Sequence, residues 1–560
     1  MNIKKSLYVT LSGFLMFIIS NADAMIHDPR AIDADPATAT SPIAPRLTGL
    51  GDHEFSVTTS NPESQYFFEQ GFRLTLGFNH SEALRSFKEA IRLDPNNAMA
   101  YWGWALSLGP NLNLPMQPAV VPAAYAAMQK AVSMKANVTP RERALIEASA
   151  VRFTDDPEAA RAPFDSAYAD AMAKVVEQFP NDADMLTLYA AAMMNTNPWD
   201  YWYKDGTPKS STVKVMNALN KAISLNPDHP GAHHYLIHTV EAFRPELGVQ
   251  SADRLGSLMP SAGHLVHMPS HIFMRVGRYG DSYEANALAT KADEGYITQC
   301  RAQGIYPLVY YPHNIHFLAW SAMFQGRSVE AIEAARKVAI KIKPTPEENV
   351  FGLYESFASQ PLYVMVRFGK WDEILKEASP SASSVFMNGV LHYARGLAFA
   401  HKGDLEQAAD ELYRLTGIRE EVQKDKAYHV GFAAAGTLLH IAELVLRGEH
   451  VAKSGDMDSG IAYLERAARL EDTLLYNEPP DWYFPVRHVL GALLMDAGLP
   501  AEAEAVYWDD LRRNPDNGFS LYGLKLALEA QGNKSVAEEI GRRFDKAWSS
   551  ADVKLRSSRY

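Results

Sequence analysis

Between Gly231 and Trp320, histidines recur at helical spacing in three phrases, GAHHYLIHTVEAF, SAGHLVHMPSHIFMRVGRYGD and YYPHNIHFLAWSAMFQGRS. They supply His233, His234, His238 and Glu241, then His264, His267 and His271, then His313 and His316. Residues three or four apart share a helix face, so each phrase can aim its rings in one direction. Neutral imidazole is the commonest metal ligand, and two histidines four apart on a helix can hold one ion. The pairs 234/238 and 267/271 have that spacing. The chain has a single cysteine, Cys300, so an internal disulfide and a thiolate cluster are both excluded. Any metal is held by nitrogen and oxygen.

The supply of imidazoles exceeds the four ligands of a structural zinc site, which leaves room for two ions. Copper suits an all-imidazole helical site. Zinc or iron suits one in which Glu241 is a carboxylate ligand or the catalytic general base. Copper or zinc is expected ahead of iron. The HExxH motif, the GxSxG elbow, the phosphate-binding Walker loop and the dinucleotide fingerprint are all missing from the sequence. The expected chemistry is therefore redox or hydrolytic work on a small molecule or peptide.

Net charge is −12 over 560 residues, with no basic run, which argues against a phosphate-backbone partner. The N-terminus reads as a targeting segment. Lys4 and Lys5 precede an apolar run from Leu7 to Ile19, and Ala22-Asp23-Ala24 resembles a cleavage site. A mature chain starting at Met25, exported to the periplasm or secreted, is expected. No later stretch is long and apolar enough to span a membrane.

The elements that must position the histidines are helical repeats. From Tyr66 the sequence places Gly71, Ala83, Phe87, Ala90 and Pro95 at the small, aromatic and helix-closing offsets of a tetratricopeptide repeat. Ala222 with Pro227, Gly277 with Ala289, Gly326 with Ala331, and Gly396, Gly403 with Ala408 repeat parts of the pattern. Gly491, Gly498, Ala503, Tyr507 and Pro515 repeat nearly all of it, and Gly532 with Ala537 gives a last unit. The expected fold is all-α, a tetratricopeptide-type α-solenoid, open or partly closed, with loop insertions. Registering the repeats on these anchors sends His234, His238, Glu241, His264, His267, His271, His313, His316 and His488 to positions that face the concave groove. The same register turns His233 inward as a packing residue. Pro269 removes a helical hydrogen bond between His267 and His271, so a kink or a late helix start is expected there.

Ser64 to Gly109 and Asn197 to Asp293 resemble a family of exported bacterial tetratricopeptide-repeat proteins with a histidine-rich central region. The phrases that carry the resemblance are GFNHSEALRSF, DPNNAMAYWGWALSLGPN, HPGAHHYLIHTVEA and GHLVHMPSHIFMRVGRY. It implies the solenoid fold and no catalytic assignment. The expected layout is a signal peptide at 1–24, a flexible leader at 25–60 and an N-terminal array at 61–230. A histidine-rich segment at 231–340, a C-terminal array at 341–548 and a tail at 549–560 follow. Three functions fit: a metalloenzyme, a non-catalytic metal-binding protein, and a scaffold that binds a peptide or protein partner in its groove. Insertions at 109–119, 197–208 and 476–485 are rich in aromatics and proline and could exclude water from a pocket, which only the first function needs.

Overall fold

Stacked pairs of antiparallel helices make up the chain. A computed structural model describes residues 28–341 and 352–560; the expected signal peptide lies outside them. The contacts divide the chain into two compact units, Met1–Ile272 with Leu288–Tyr311, and Phe273–Ala287 with Pro312–Tyr560. The histidine-rich segment expected at 231–340 is thus shared between two units and is no body of its own. The fold is the expected all-α, tetratricopeptide-type one. Among the described residues the strands are the two-residue pair His429–Val430 and Ala433–Ala434. No helix among them is long and apolar enough to cross a membrane.

The repeat spacing shows why the helices pack where they do. Phe87, on the helix His80–Leu93, is fully buried between the helices Pro62–Leu76 and Ala98–Leu108. It faces a glycine on each side. A Cβ at Gly71 would stand 2.9 Å from the Phe87 ring, and one at Gly103 would overlap it. Tyr507 repeats the device in the second unit between Gly491 and Gly523, where a Cβ at Gly491 would meet its ring at 2.5 Å. Close-packed interiors leave no slack for the missing volume.

One expectation about the ends is corrected. The segment from 28 to 60 is no loose leader: Ile43, Ala44, Leu47, Leu50 and Phe55 are buried, and the Phe55 ring lies 4.6 Å from that of Phe72. Lys88 ties down its start. The Lys88 ammonium donates to the carbonyls of Ala31, Ile32 and Ala34 at 2.7, 2.9 and 2.8 Å, which closes the short helix Pro29–Asp33 from its C-terminal end. The tail packs too: Leu555 and Ser558 are buried, and the Ser558 hydroxyl donates to the His488 carbonyl at 2.6 Å.

Candidate metal centre

In the first unit, three short pieces of helix bring five histidines together. The helix Pro230–Val240 starts with Pro230 at its first position, and His229 caps it by accepting the Ala232 N–H on Nδ1 at 3.2 Å. All eleven of its residues are buried, so His234 and His238 line an interior where an open groove was expected. Gly263–His267 and Pro269–Arg275 are separate helices that meet at Met268. Pro269 therefore breaks the helix, and His264 and His267 keep a helical turn of their own.

Protonation can be read from the hydrogen bonds, since a ring nitrogen facing an acceptor must carry the proton. His234 Nδ1 donates to the Leu76 carbonyl at 2.7 Å, so its Nε2 is a bare lone pair. That Nε2 lies 3.1 Å from Nε2 of His264. His238 Nε2 and His264 Nδ1 are buried and without hydrogen-bond partners. One ring nitrogen from each of the three histidines falls within 4.8 Å of the others. If His264 donates from Nε2, its Nδ1 is left bare in the interior; if it donates from Nδ1, two lone pairs face each other. Either state leaves a buried polar atom unsatisfied, which native interiors rarely tolerate. A cation between the two Nε2 atoms removes the facing lone pairs. Tetrahedral zinc, with Zn–N of about 2.0–2.1 Å, sets its ligand nitrogens roughly 3.3 Å apart, close to the 3.1 Å between Nε2 of His234 and Nε2 of His264.

Burial holds all three rings neutral: His234, His238 and His264 are each pushed well below the ordinary imidazole range, first by desolvation and then by the neighbouring imidazoles. Neutral rings are the form that binds metal. His267 and His271 continue the cluster, their Nε2 atoms 2.9 Å apart. Glu241 follows the helix end. Its carboxylate lies 3.4 Å from Nδ1 of His238 and 3.1 Å from Nδ1 of His271, on the side of each ring away from Nε2.

Two aromatic residues cover the cluster from strained backbone. Phe78 has φ 59 and Trp199 has φ 62, in the left-handed region that costs a bulky residue about 1–2 kcal/mol. The Phe78 ring lies 4.5 Å from His234 and 5.2 Å from His264; Trp199 meets His238 edge-on at 5.2 Å. The insertion at 197–208 thus does cover the site. The one at 476–485 instead fills the core of the second unit, with Trp482 and Tyr483 buried.

His313, His316 and His488 belong to the second unit. His488 is fully committed: Nε2 donates to Asp510 at 2.8 Å and Nδ1 accepts from Arg367 at 2.9 Å, so no lone pair remains for a metal. The His316 ring meets Phe357 edge-on at 5.5 Å. His233 packs inward as expected, its Nε2 donating to the Pro227 carbonyl at 2.8 Å and Nδ1 2.9 Å from the Ser251 hydroxyl.

A second group escaped the sequence reading, because its members are scattered over 176 residues of chain. His53 and His229 approach one carboxylate oxygen of Asp184 at 2.8 and 3.2 Å. His229 accepts an N–H on Nδ1, so Nε2 carries the proton and donates. Arg141 takes the other oxygen at 2.8 Å. These groups satisfy one another, and the trio is a structural network.

No family model matches the chain, and no curated protein is significantly similar to it. Among solved structures, the human IFIT1 dimer with m7Gppp-AAAA aligns over 88% of this chain and 91% of its own, at 13% identity and a TM-score of 0.30. The APC/C hetero-tetramer Cut9–Hcn1 aligns over 86% and 76%, at 11% identity and a TM-score of 0.28. Overlaps this loose say nothing about the site.

Proposed function

We propose that the protein is an exported metalloprotein whose first unit binds one zinc or copper ion through Nε2 of His234 and His238 and a ring nitrogen of His264. The observation that carries this reading is the set of hydrogen bonds on the far sides of the rings. Leu76 holds the Nδ1 proton of His234, and Glu241 sits against Nδ1 of His238. A ligating histidine customarily gives its other N–H to a carbonyl or carboxylate, which fixes its tautomer and raises its basicity. Glu241 is in this reading the residue that orients His238 and His271, and its place behind the rings replaces the direct ligand or general-base role.

Three nitrogen ligands leave a fourth position open, the pattern of catalytic rather than structural zinc. When bound, such an ion would supply Lewis acidity to a carbonyl or a water. His267 and His271 adjoin the three rings, at 6.1 Å from those of His264 and His238 respectively, and would take or give a proton there. Burial beneath Phe78 and Trp199 favours a small substrate over an extended peptide, which would need an open groove. The deciding experiment is elemental analysis of the purified mature protein, with His234→Ala and His238→Ala beside it. One equivalent of zinc or copper that both variants lose supports the reading. Metal-free protein, or variants that hold as much as the parent, would overturn it in favour of a scaffold.

A further inference from the structure

Of the three rings proposed to hold the ion, two are oriented by a partner on the far side, His234 by the Leu76 carbonyl and His238 by Glu241. His264 is different. Its Nδ1 is buried without a hydrogen bond, and its Nε2 faces His234. The direction of this ring is therefore set by its backbone and by contacts with the rings of Phe78 at 5.2 Å and Tyr310 at 5.0 Å. That backbone is a weak support by itself. The helix Gly263–His267 has five residues, Ala262 gives it no side-chain cap, and Pro269 starts a new helix just after it. A helix this short does not hold its shape unaided, and its leading N–H groups need acceptors from outside.

The missing cap comes from 42 residues further along the chain. The Tyr306 hydroxyl accepts the backbone N–H of His264 at 3.2 Å and donates its own proton to Asp293 at 2.7 Å. Tyr306 and Asp293 are both buried, and both belong to the first unit, as His264 does. Burial, and then the Asp293 charge, push the Tyr306 hydroxyl well above the ordinary tyrosine range. It therefore stays protonated, which fixes the direction of both bonds: the proton goes to Asp293, and a lone pair faces His264.

The first residue of the short helix is shaped to this arrangement. A Cβ at Gly263 would overlap the Asp293 carboxylate and stand 3.0 Å from the Ala289 carbonyl, so a glycine is what lets the acid come so close to the helix start. Tyr306 also opens the five-residue π-helical stretch Tyr306–Tyr310, an irregularity frequent at functional sites. One turn thus serves His264 twice. Its first side chain holds the backbone of the ligand, and its last, Tyr310, lies against the ring.

We infer that Tyr306, backed by Asp293, is a positioning residue of the metal centre: its hydroxyl holds the helix Gly263–His267 where the His264 ring meets those of His234 and His238. The inference rests on the metal reading above. Tyr306 acts through His264 and needs no contact with the ion. Outer partners of this kind govern how tightly and in what geometry a metal is held.

The test is titration of cobalt(II) into the purified, chelator-treated protein, read by visible absorption, which reports the coordination geometry of the bound ion. Tyr306→Phe keeps the ring and removes only the hydroxyl. It should bind cobalt roughly 10–100-fold more weakly and give an altered spectrum at saturation. Gly263→Ala, which displaces Asp293, should alter the spectrum in the same direction. Asp293→Asn keeps an acceptor for the Tyr306 proton and should stay closer to the parent. Ala503→Leu, a destabilising change in the second unit, should leave the spectrum as it is, so lost stability alone does not imitate the effect. Hydrogen exchange on the metal-free protein adds a second readout: the amides of residues 264–268 should exchange faster in Tyr306→Phe. A parent protein that takes up no cobalt would sink the metal reading and this inference with it. A parent that takes it up beside a Tyr306→Phe protein of equal affinity and identical spectrum would overturn this inference alone. So would unchanged amide exchange in that variant. Should Tyr306→Phe not fold, a Gly263→Ala spectrum equal to the parent's decides against the inference in its place.

Discussion

His234 Nδ1 donates to the carbonyl of Leu76 at 2.7 Å, across 158 residues of sequence. Leu76 ends the helix Pro62–Leu76, so its carbonyl is one of the four that the helix leaves unpaired. One bond thereby closes a helix end and fixes which ring nitrogen of His234 points inward.

Metal loading should follow that distinction among histidines. His238→Ala and His264→Ala are expected to remove bound zinc or copper and the thermal stabilisation that comes with it, since an ion bound only by the folded state stabilises that state. His233→Phe and His488→Phe should retain the metal, because the nitrogens of those rings are spent on protein partners. Metal analysis and melting curves with and without chelator check both halves. Loss of metal from His233→Phe would contradict the tautomer argument.

Phe78 covers His234 and His264. Phe78→Gly should relieve the left-handed strain and at the same time uncover His234 and His264. Overall stability should fall by roughly 2–3 kcal/mol, because loss of a buried Phe side chain costs about 3–5 kcal/mol and the relaxed backbone returns only about 1–2. Removal of the ion by a chelator should become at least several-fold faster. An unchanged rate at unchanged helicity would show that Phe78 covers nothing that matters.

Acid should destabilise the fold through its buried histidines. Burial pushes His316 down to about 4 from 6.5, against a hydrogen bond that the ring donates to Gln360. The unfolded chain then binds more protons between those values, so stability is complete above pH 6.5 and falls as the pH drops towards 4. The effect for this one group is up to about 3 kcal/mol. His316→Phe should flatten the pH dependence of the urea midpoint in that window and leave the midpoint at pH 8 nearly unchanged. An identical slope would exclude His316 as a contributor.

Ala503 is fully buried in the helix Pro500–Arg513, which also carries Tyr507. Ala503→Leu should overpack this contact and cost roughly 1–3 kcal/mol, read as a lower denaturation midpoint with the circular dichroism spectrum still helical. An unchanged midpoint would mean that the repeat register at this position is wrong.

Export is tested by mass. The proposal requires a chain beginning at Met25 in the exported fraction; full-length protein confined to the cytoplasm would remove the periplasm or secretion from the reading.

The repeat periodicity was open to reading from the sequence because it is local: Gly71, Phe87 and Gly103 sit at fixed offsets that only closely packed helices require. The same periodicity identified His234, His238, His264, His267 and His271 as one group, and it marked His233 as a packing residue. It could not tell an exposed groove from an interior, because burial of the helix Pro230–Val240 depends on what the segments at 76–79 and 197–203 place over it. It also failed for His488, which has the same repeat position as the proposed ligand His234 and is silenced by Asp510 and Arg367. A repeat position fixes the direction of a side chain, whereas a lone pair is free or spent according to partners far away in the sequence. The helical fold and the candidate ligands were therefore determined by the sequence, and the tautomers, the burial and the cover by Phe78 and Trp199 were decided by the tertiary structure.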